Sequence, residues 1–249
     1  MASADMCPDN ENGARATTDE PAAATAAAGR FPQPHGTGDA SRWVQRWSHL
    51  VAPGGAVLDV ASGAGRHARW FASRGHPVTA LDRDAAALAA MADDPRITTR
   101  IADLENAPWP LPGLASVTPS TASSAQEHDT VKGQKDAETK FAAVIVTNYL
   151  HRPLFPQLLA ALAPGGVLIY ETFAQGNERV GKPSNPAFLL APGELLDVVR
   201  PALRVIAFQD GFLAQPRPAY IQRICAIREA EQLTDPTGDS LPRCYELAG

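Results

Sequence analysis

The chain has 249 residues, a formal net charge of −5 and 45% hydrophobic residues, which excludes a fibrous or wholly disordered protein. Forty-five of those residues are alanine, and 19 glycines and 22 prolines are present, so part of the chain is expected to lie outside the packed core. No window approaches the ~18 consecutive apolar residues of a membrane span.

The loose parts are readable by composition. Residues 1 to 35 are Ala, Thr, Pro and acid, with Asp5, Asp9, Glu11, Asp19 and Glu20, and predict a disordered head with no secretory or transit signal. Residues 113 to 140 carry no aromatic and predict a low-complexity insertion. Residues 229 to 249 predict a flexible acidic tail. Cys7, Cys225 and Cys244 form no metal spacing and suit a reducing, cytoplasmic setting. The overall negative charge speaks against a basic nucleic-acid binder. Head, insertion and tail carry −3, −1 and −4, however, which leaves +3 on the folded part, residues 36 to 228 without the insertion. That weakens the exclusion, so an RNA or protein acceptor stays open.

Between these segments strands and helices alternate. Ala40–Val51 has the spacing of a one-sided helix, and Ala56–Val60 is a short apolar strand. Arg66–Ser73 predicts a helix, Val78–Leu81 a second strand, Asp84–Ala92 an Ala-rich helix and Ile97–Ala102 a third strand. Phe141–Thr147 is a continuous apolar run, as in a strand buried on both faces. Leu154–Leu162 predicts a helix, Pro164–Gly166 a turn, Val167–Tyr170 a fifth strand and Glu194–Val199 a helix. Leu203–Phe208 and Tyr220–Ile227 are joined too tightly for a crossover helix and should pair antiparallel. The order implies an α/β doubly wound, Rossmann-like sheet of seven strands, mostly parallel, with an antiparallel last strand.

Such sheets bind ligands beyond the carboxyl ends of their strands. Each of those ends is polar here: Asp59 before Ala61, Gly63 and Gly65; Asp82 and Arg83; Asp103 and Leu104; Asn148, Tyr149 and His151; Glu171. The glycine loop also fits a dinucleotide fingerprint, with Ala68 at its third position. A carboxylate at Asp59 would repel a pyrophosphate and suits a cationic ligand without phosphate; S-adenosylmethionine, with its sulfonium, ammonium, ribose and adenine, is one. Asp103 and the Leu104 amide could address adenine, or Asp103 could simply cap a turn.

The segments at 57 to 84, 102 to 111 and 141 to 173 resemble the class I S-adenosylmethionine-dependent methyltransferases. Within that class the chain looks most like the small stand-alone bacterial enzymes related to the tellurite-resistance methyltransferases, an affinity supported by residues 171 to 196. The resemblance implies that Asp59, Ala61, Gly63 and Gly65 line the methionine part of the cofactor. It implies that Asp82 holds both ribose hydroxyls, that Arg83 lies beside the adenine, that Asp103 and Leu104 meet the adenine edge, and that Asn148 lies near the methyl. Ala61 stands where many members have glycine. Tyr149 and His151 are the candidate catalytic side chains; Arg152 could hold an anionic substrate or be merely solvated, and Trp109 could cover the adenine. Trp43, Trp47 and Trp70 read as packing, and Lys182–Phe188 as part of an acceptor lid. The expected activity is SN2 methyl transfer to a small-molecule acceptor, with no metal and no membrane partner. RNA or protein methylation, an NAD(P)-dependent oxidoreductase and a non-catalytic cofactor-binding module are the competing readings.

Overall fold

The computed structural model describes residues 37–111, 140–230 and 244–247. The expected head, all but one residue of the expected insertion and most of the expected tail lie outside the described residues. The elements run α1 (Arg42–Trp47), β1 (Val57–Val60), α2 (Arg66–Ala72), β2 (Val78–Asp82), α3 (Ala85–Ala89), β3 (Ile97–Ile101), β4 (Phe141–Thr147), α4 (Phe155–Ala160), β5 (Leu162–Phe173), α5 (Glu194–Val199), β6 (Arg204–Leu213) and β7 (Ala219–Ile227). They form one seven-stranded sheet in the order β3-β2-β1-β4-β5-β7-β6. The first five strands pair in parallel, and β7 runs antiparallel to both β5 and β6.

The order of strands explains their composition. β4 lies between β1 and β5 and is covered on both faces, so Phe141 and Ala143 to Val146 are almost fully buried. Alternation along each strand divides the core in two. Leu58, Val60, Val144, Val146, Leu168 and Tyr170 pack towards α4 and α5. Val57, Ala143, Ile145, Val167 and Ile169 pack towards α1 and α2, against Trp43, Trp47 and Phe71. The tryptophans of α1 are therefore core residues, with ring centroids 5.6 Å apart. Trp43 Nε1 also donates to the Ile224 carbonyl at 3.2 Å, which fastens α1 to β7.

Several boundaries differ from the sequence expectation for local reasons. The first helix stops at Trp47 and continues as one 3-10 turn, Ser48–Leu50, while Ser41 caps its start by accepting from the Trp43 amide at 3.1 Å. The Asp84 carboxylate accepts from the amides of Ala86 and Ala87, so it is the cap of α3 rather than its first residue. Pro164–Gly166 falls inside β5, not before it. Gly165 sits at φ +80° and the pairing of β5 with β4 shifts register there, which absorbs the turn as an irregularity of the strand. In the expected tail, Tyr245 packs against the α1 side of the core, with Arg204 5.1 Å from its ring.

Gly65 shows how tightly the first loop is built. It caps α2 at φ +80°, and a Cβ there would lie 1.7 Å from Met91 Sδ, an atom of a fully buried side chain. Overpacking and left-handed backbone strain together predict that Gly65→Ala lowers stability by about 3 kcal/mol. Urea denaturation checks this; a loss under about 1 kcal/mol would show that Met91 can move aside.

Candidate active site

The strand ends open onto a cleft of about 590 Å³. Ala61, Asp82, Arg83, Asp103, Leu104, Asn148 and Tyr149, all singled out from the sequence, lie on its wall. Ala61 and Asn148 are the non-glycine residues with positive φ among the described residues, at +54° and +55°. Both follow a strand directly and turn the chain out of the sheet into the cleft wall. Left-handed backbone costs an ordinary residue about 1–2 kcal/mol, and such strain collects at functional sites.

Asp82 ties two loops together. Its Oδ2 accepts from the Gly63 amide at 2.7 Å and its Oδ1 from the Asp84 amide at 2.9 Å. The glycine loop after β1 is thus held by the acid that ends β2. Ser62 and Gly65 donate their amides to Leu81 O and Ser62 O, both at 3.0 Å. At the end of the neighbouring strand β3, Asp103 Oδ1 accepts from the amides of Glu105 (3.0 Å) and Asn106 (3.1 Å), and its Oδ2 from Asn106 Nδ2 (2.9 Å). The Asn106 side chain and then the Glu105 amide hold the Asp103 carboxyl below its ordinary range. Asp103 therefore both caps a turn and faces the cleft. The Leu104 amide beside it has no protein partner among the described residues.

Other expected residues stand elsewhere. Gly63 and Gly65 shape the loop but are not on the cleft wall, because one gives its amide to Asp82 and the other is pressed against Met91. Asp59 is also off the wall. It shares the α1–α2 face of β1 with Val57 and is 1% exposed, with Oδ2 buried and unpartnered among the described residues. Burial pushes its carboxyl up to about 7, against the pull of the Ala68 amide and of Arg66. His151 begins the 3-10 turn Arg152–Leu154 without capping it through its side chain, and it too is not on the wall. The Tyr149 hydroxyl is buried without a partner, and burial, then Glu105 and Asp103, push its pKa well up. Trp109 packs against the core cluster under α4 and α5 and does not line the cleft.

Arg152 stays 41% exposed, but its guanidinium is committed to protein oxygens rather than to a substrate. Nε and Nη2 donate to the two Glu194 oxygens at 2.6 and 2.9 Å, while Nη1 and Nη2 donate to Ala187 O and Leu189 O, both at 2.9 Å. The guanidinium thus clamps the segment before α5, which brings Phe188 to the cleft together with Lys182 and Pro183. The same end of the cleft takes Thr172 and Phe173 from β5 and Arg217 from the β6–β7 hairpin. Arg217 was missed from sequence; a lone cation between prolines in a hairpin gives no signal of where its tip folds.

Glu171, read from the sequence as a polar strand end, does not line the cleft but joins a polar group on the α1–α2 face. Ser41 Oγ donates to Glu171 Oε1 at 2.8 Å, and Arg223 pairs with Glu171 Oε2 at 3.2 Å. His67 Nε2 accepts from the Ser41 amide at 3.2 Å, and its Nδ1 lies 3.4 Å from Thr147 Oγ1. Burial, then the Arg66 charge, push His67 down to about 3, so it is neutral. These residues come from the cap of α1, from α2, from the ends of β4 and β5 and from the middle of β7, and no local sequence pattern connects them.

No protein-family model matches the sequence, and no curated protein matches it. In fold the chain is similar to TehB from Haemophilus influenzae, at 15% identity and a TM-score of 0.52, over 75% of this chain and 61% of that one. It is similar to S-adenosylmethionine-dependent methyltransferases from Methanosarcina mazei, at 14% identity and 0.51, over 78% and 100%. It is also similar to the [4+2]-cyclase SpnF, at 13% and 0.51, over 76% and 79%. The match to TehB spans about three fifths of that chain. The fold is that of the class I S-adenosylmethionine-dependent methyltransferases, and SpnF shows that the fold alone does not name the reaction.

Asp59 and His67 give opposite acid responses. His67 titrates near 6.5 when unfolded and near 3 when folded, so its contribution to stability is lost as pH falls. Asp59 titrates near 3.8 unfolded and near 7 folded, so its contribution is lost as pH rises. From about pH 4 to about pH 6 the two cancel in the wild type. Relative to wild type, Asp59→Asn is expected to gain about 1.4 kcal/mol per pH unit over that window, and His67→Gln to lose as much. Urea titrations at several pH values read both slopes; parallel profiles for all three proteins would contradict the burial assignment.

Proposed function

We propose that the chain is an S-adenosylmethionine-dependent methyltransferase acting on a small molecule. The observation that carries the reading is that one cleft is lined by Asp82, a ribose-type acceptor at the end of β2, and by Leu104 at the end of the adjacent β3, whose amide has no partner among the described residues. A ribose diol wants the first and an adenine ring nitrogen the second. The volume of about 590 Å³ falls within the range of small-ligand pockets.

The glycine loop separates this reading from a dinucleotide enzyme. A pyrophosphate is held by free loop amides. Here the amides of Ser62, Gly63 and Gly65 are all given to protein oxygens. That discriminates better than the charge of Asp59, which is enclosed and off the cleft wall.

When bound, the cofactor supplies a methyl group already activated on a sulfonium. The chain then has to bind, align and exclude water. Asp82, Arg83, Asp103 and Leu104 would hold the nucleoside. Asn148 and Ala61 bring the ends of β4 and β1 together where the two ends of the cleft meet. Tyr149 keeps its proton at neutral pH and its hydroxyl is buried, so it does not act as a base. His151 is displaced from the role of general base by its position off the wall. Among the described residues the acceptor end presents no histidine or carboxylate.

Calorimetry with S-adenosylhomocysteine and with NADH tests the reading. Micromolar binding of the first and none of the second is expected; the reverse would overturn it. Asp82→Ala loses a hydrogen bond from a charged group, worth about 1.5–3 kcal/mol, and should weaken S-adenosylhomocysteine at least about tenfold. Unchanged affinity would remove Asp82 from the site.

A further inference from the structure

The cleft is electrically divided. Its β2–β3 end carries Asp82, Asp103 and Glu105, with Arg83 as the one cation on that side among the described residues. Its other end carries Lys182 and Arg217 and, among the described residues, no acid. Neither of those cations has a carboxylate partner among the described residues. Two aromatic rings, Phe173 and Phe188, stand beside them; Phe188 leaves 46% of its surface exposed, whereas Phe173 is rooted in the core and leaves 7%.

This end is rigidly built. Asn177 is 1% exposed; its Nδ2 donates to Pro183 O at 2.9 Å and its Oδ1 accepts from the Tyr220 amide at 3.2 Å. Arg152 holds Ala187 and Leu189 from the opposite side, with Glu194 as its anchor. The segment bearing Lys182 and Phe188 is therefore fastened at both ends by side chains that do not themselves reach the cleft. Arg217 is steadied separately, its guanidinium lying 5.7 Å from the Phe173 ring centre, a cation–π contact. A fastened backbone segment carrying Lys182, with an arginine and ring faces held in place before the ligand arrives, is a recognition surface, because less ordering cost remains to be met on binding.

We infer that the acceptor is an organic anion with a planar aromatic body, its ring held by Phe173 and Phe188 and its negative group by Lys182 and Arg217. The inference rests on the methyltransferase reading and narrows it. An inorganic oxyanion would use the cations and leave both rings idle; a neutral aromatic would use the rings and leave two cations without a partner. The proposed contacts add no chemical step. The nucleophile of the acceptor still forms the new bond to the methyl carbon while the carbon–sulfur bond breaks, and the electron pair stays on sulfur.

The test uses the full chain saturated with S-adenosylhomocysteine and a matched pair of probes, naphthoate and naphthamide, followed by calorimetry. Naphthoate should bind at least about fivefold tighter than naphthamide, the sum expected of two partly exposed charge contacts. That preference should vanish in about 1 M salt, where the screening length is about 3 Å, and in the variant Lys182→Gln with Arg217→Gln. Phe173→Leu with Phe188→Leu should weaken both probes alike. Binding of the two probes within about twofold of each other, no binding of either, or a preference that survives salt would overturn the inference. Should the double glutamine variant fail to fold, the salt arm on the wild-type chain still decides. Failure of S-adenosylhomocysteine itself to bind would be a different result, sinking the methyltransferase reading and this inference with it.

Discussion

The bond from the Gly63 amide to Asp82 Oδ2, at 2.7 Å, organises the rest of the site. The fold delivers parallel strands whose carboxyl ends all point one way, and loops must then leave the sheet without stranding their amides. Asp82 resolves this for two loops at once, taking Gly63 from β1 and Asp84 from its own turn. The β1 loop is thereby fixed in a tight left-handed path through Ala61, Gly63 and Gly65. That path seats α2 directly on β1 and leaves Asp82 at the cleft edge, tied down before any ligand binds. Together with the bonds from the Ser62 and Gly65 amides to Leu81 O and Ser62 O, the Gly63 bond takes three loop amides from use by phosphate, so the same bonding both shapes the cleft and narrows what it can hold.

Behind the cleft, the α1–α2 face ends in a compact polar group. His67, Ser41, Thr147, Glu171 and Arg223 connect α1, α2, β4, β5 and β7 just above the apolar layer of Trp43, Ile145 and Ile169. A neutral histidine and a paired carboxylate suit that position, since unpaired charges there would be costly. Asp59 lies on this same side of β1, which is why an acid at the end of an apolar strand is not a cleft residue. The opposite side of the cleft is organised differently: Asn177 and Arg152 act on backbone carbonyls and hold a segment that has almost no regular structure of its own.

Much of this was legible in the sequence. Apolar runs bounded by turns marked all seven strands, and β4 and α5 fell on the residues expected, because hydrophobic alternation reports burial directly. The strand-end residues Ala61, Asp82, Arg83, Asp103, Leu104, Asn148 and Tyr149 came to one cleft, since topology alone brings strand ends together. What sequence could not resolve was the direction of side chains once there. Asp59 lies on the α1–α2 face of β1, Gly63 and Gly65 are taken up by Asp82 and Met91, and His151 does not line the cleft, though all four sit within a few residues of it. Arg152 looked like a ligand-binding cation, and only the fold shows Glu194, 42 positions later, taking its charge. Arg217 and the Ser41–Glu171–Arg223 group depend on contacts between distant segments, which leave no periodic trace.

The central claim is that the strand-end cleft takes a nucleoside between Asp82 and the Leu104 amide. Hydrogen exchange of the full chain with and without S-adenosylhomocysteine tests it most directly. The account predicts slowed exchange confined to the β1 loop around residues 61 to 66 and to residues 103 to 105. Protection at the hairpin around Arg217 alone, or no protection in either strand-end loop under saturating ligand, would contradict it.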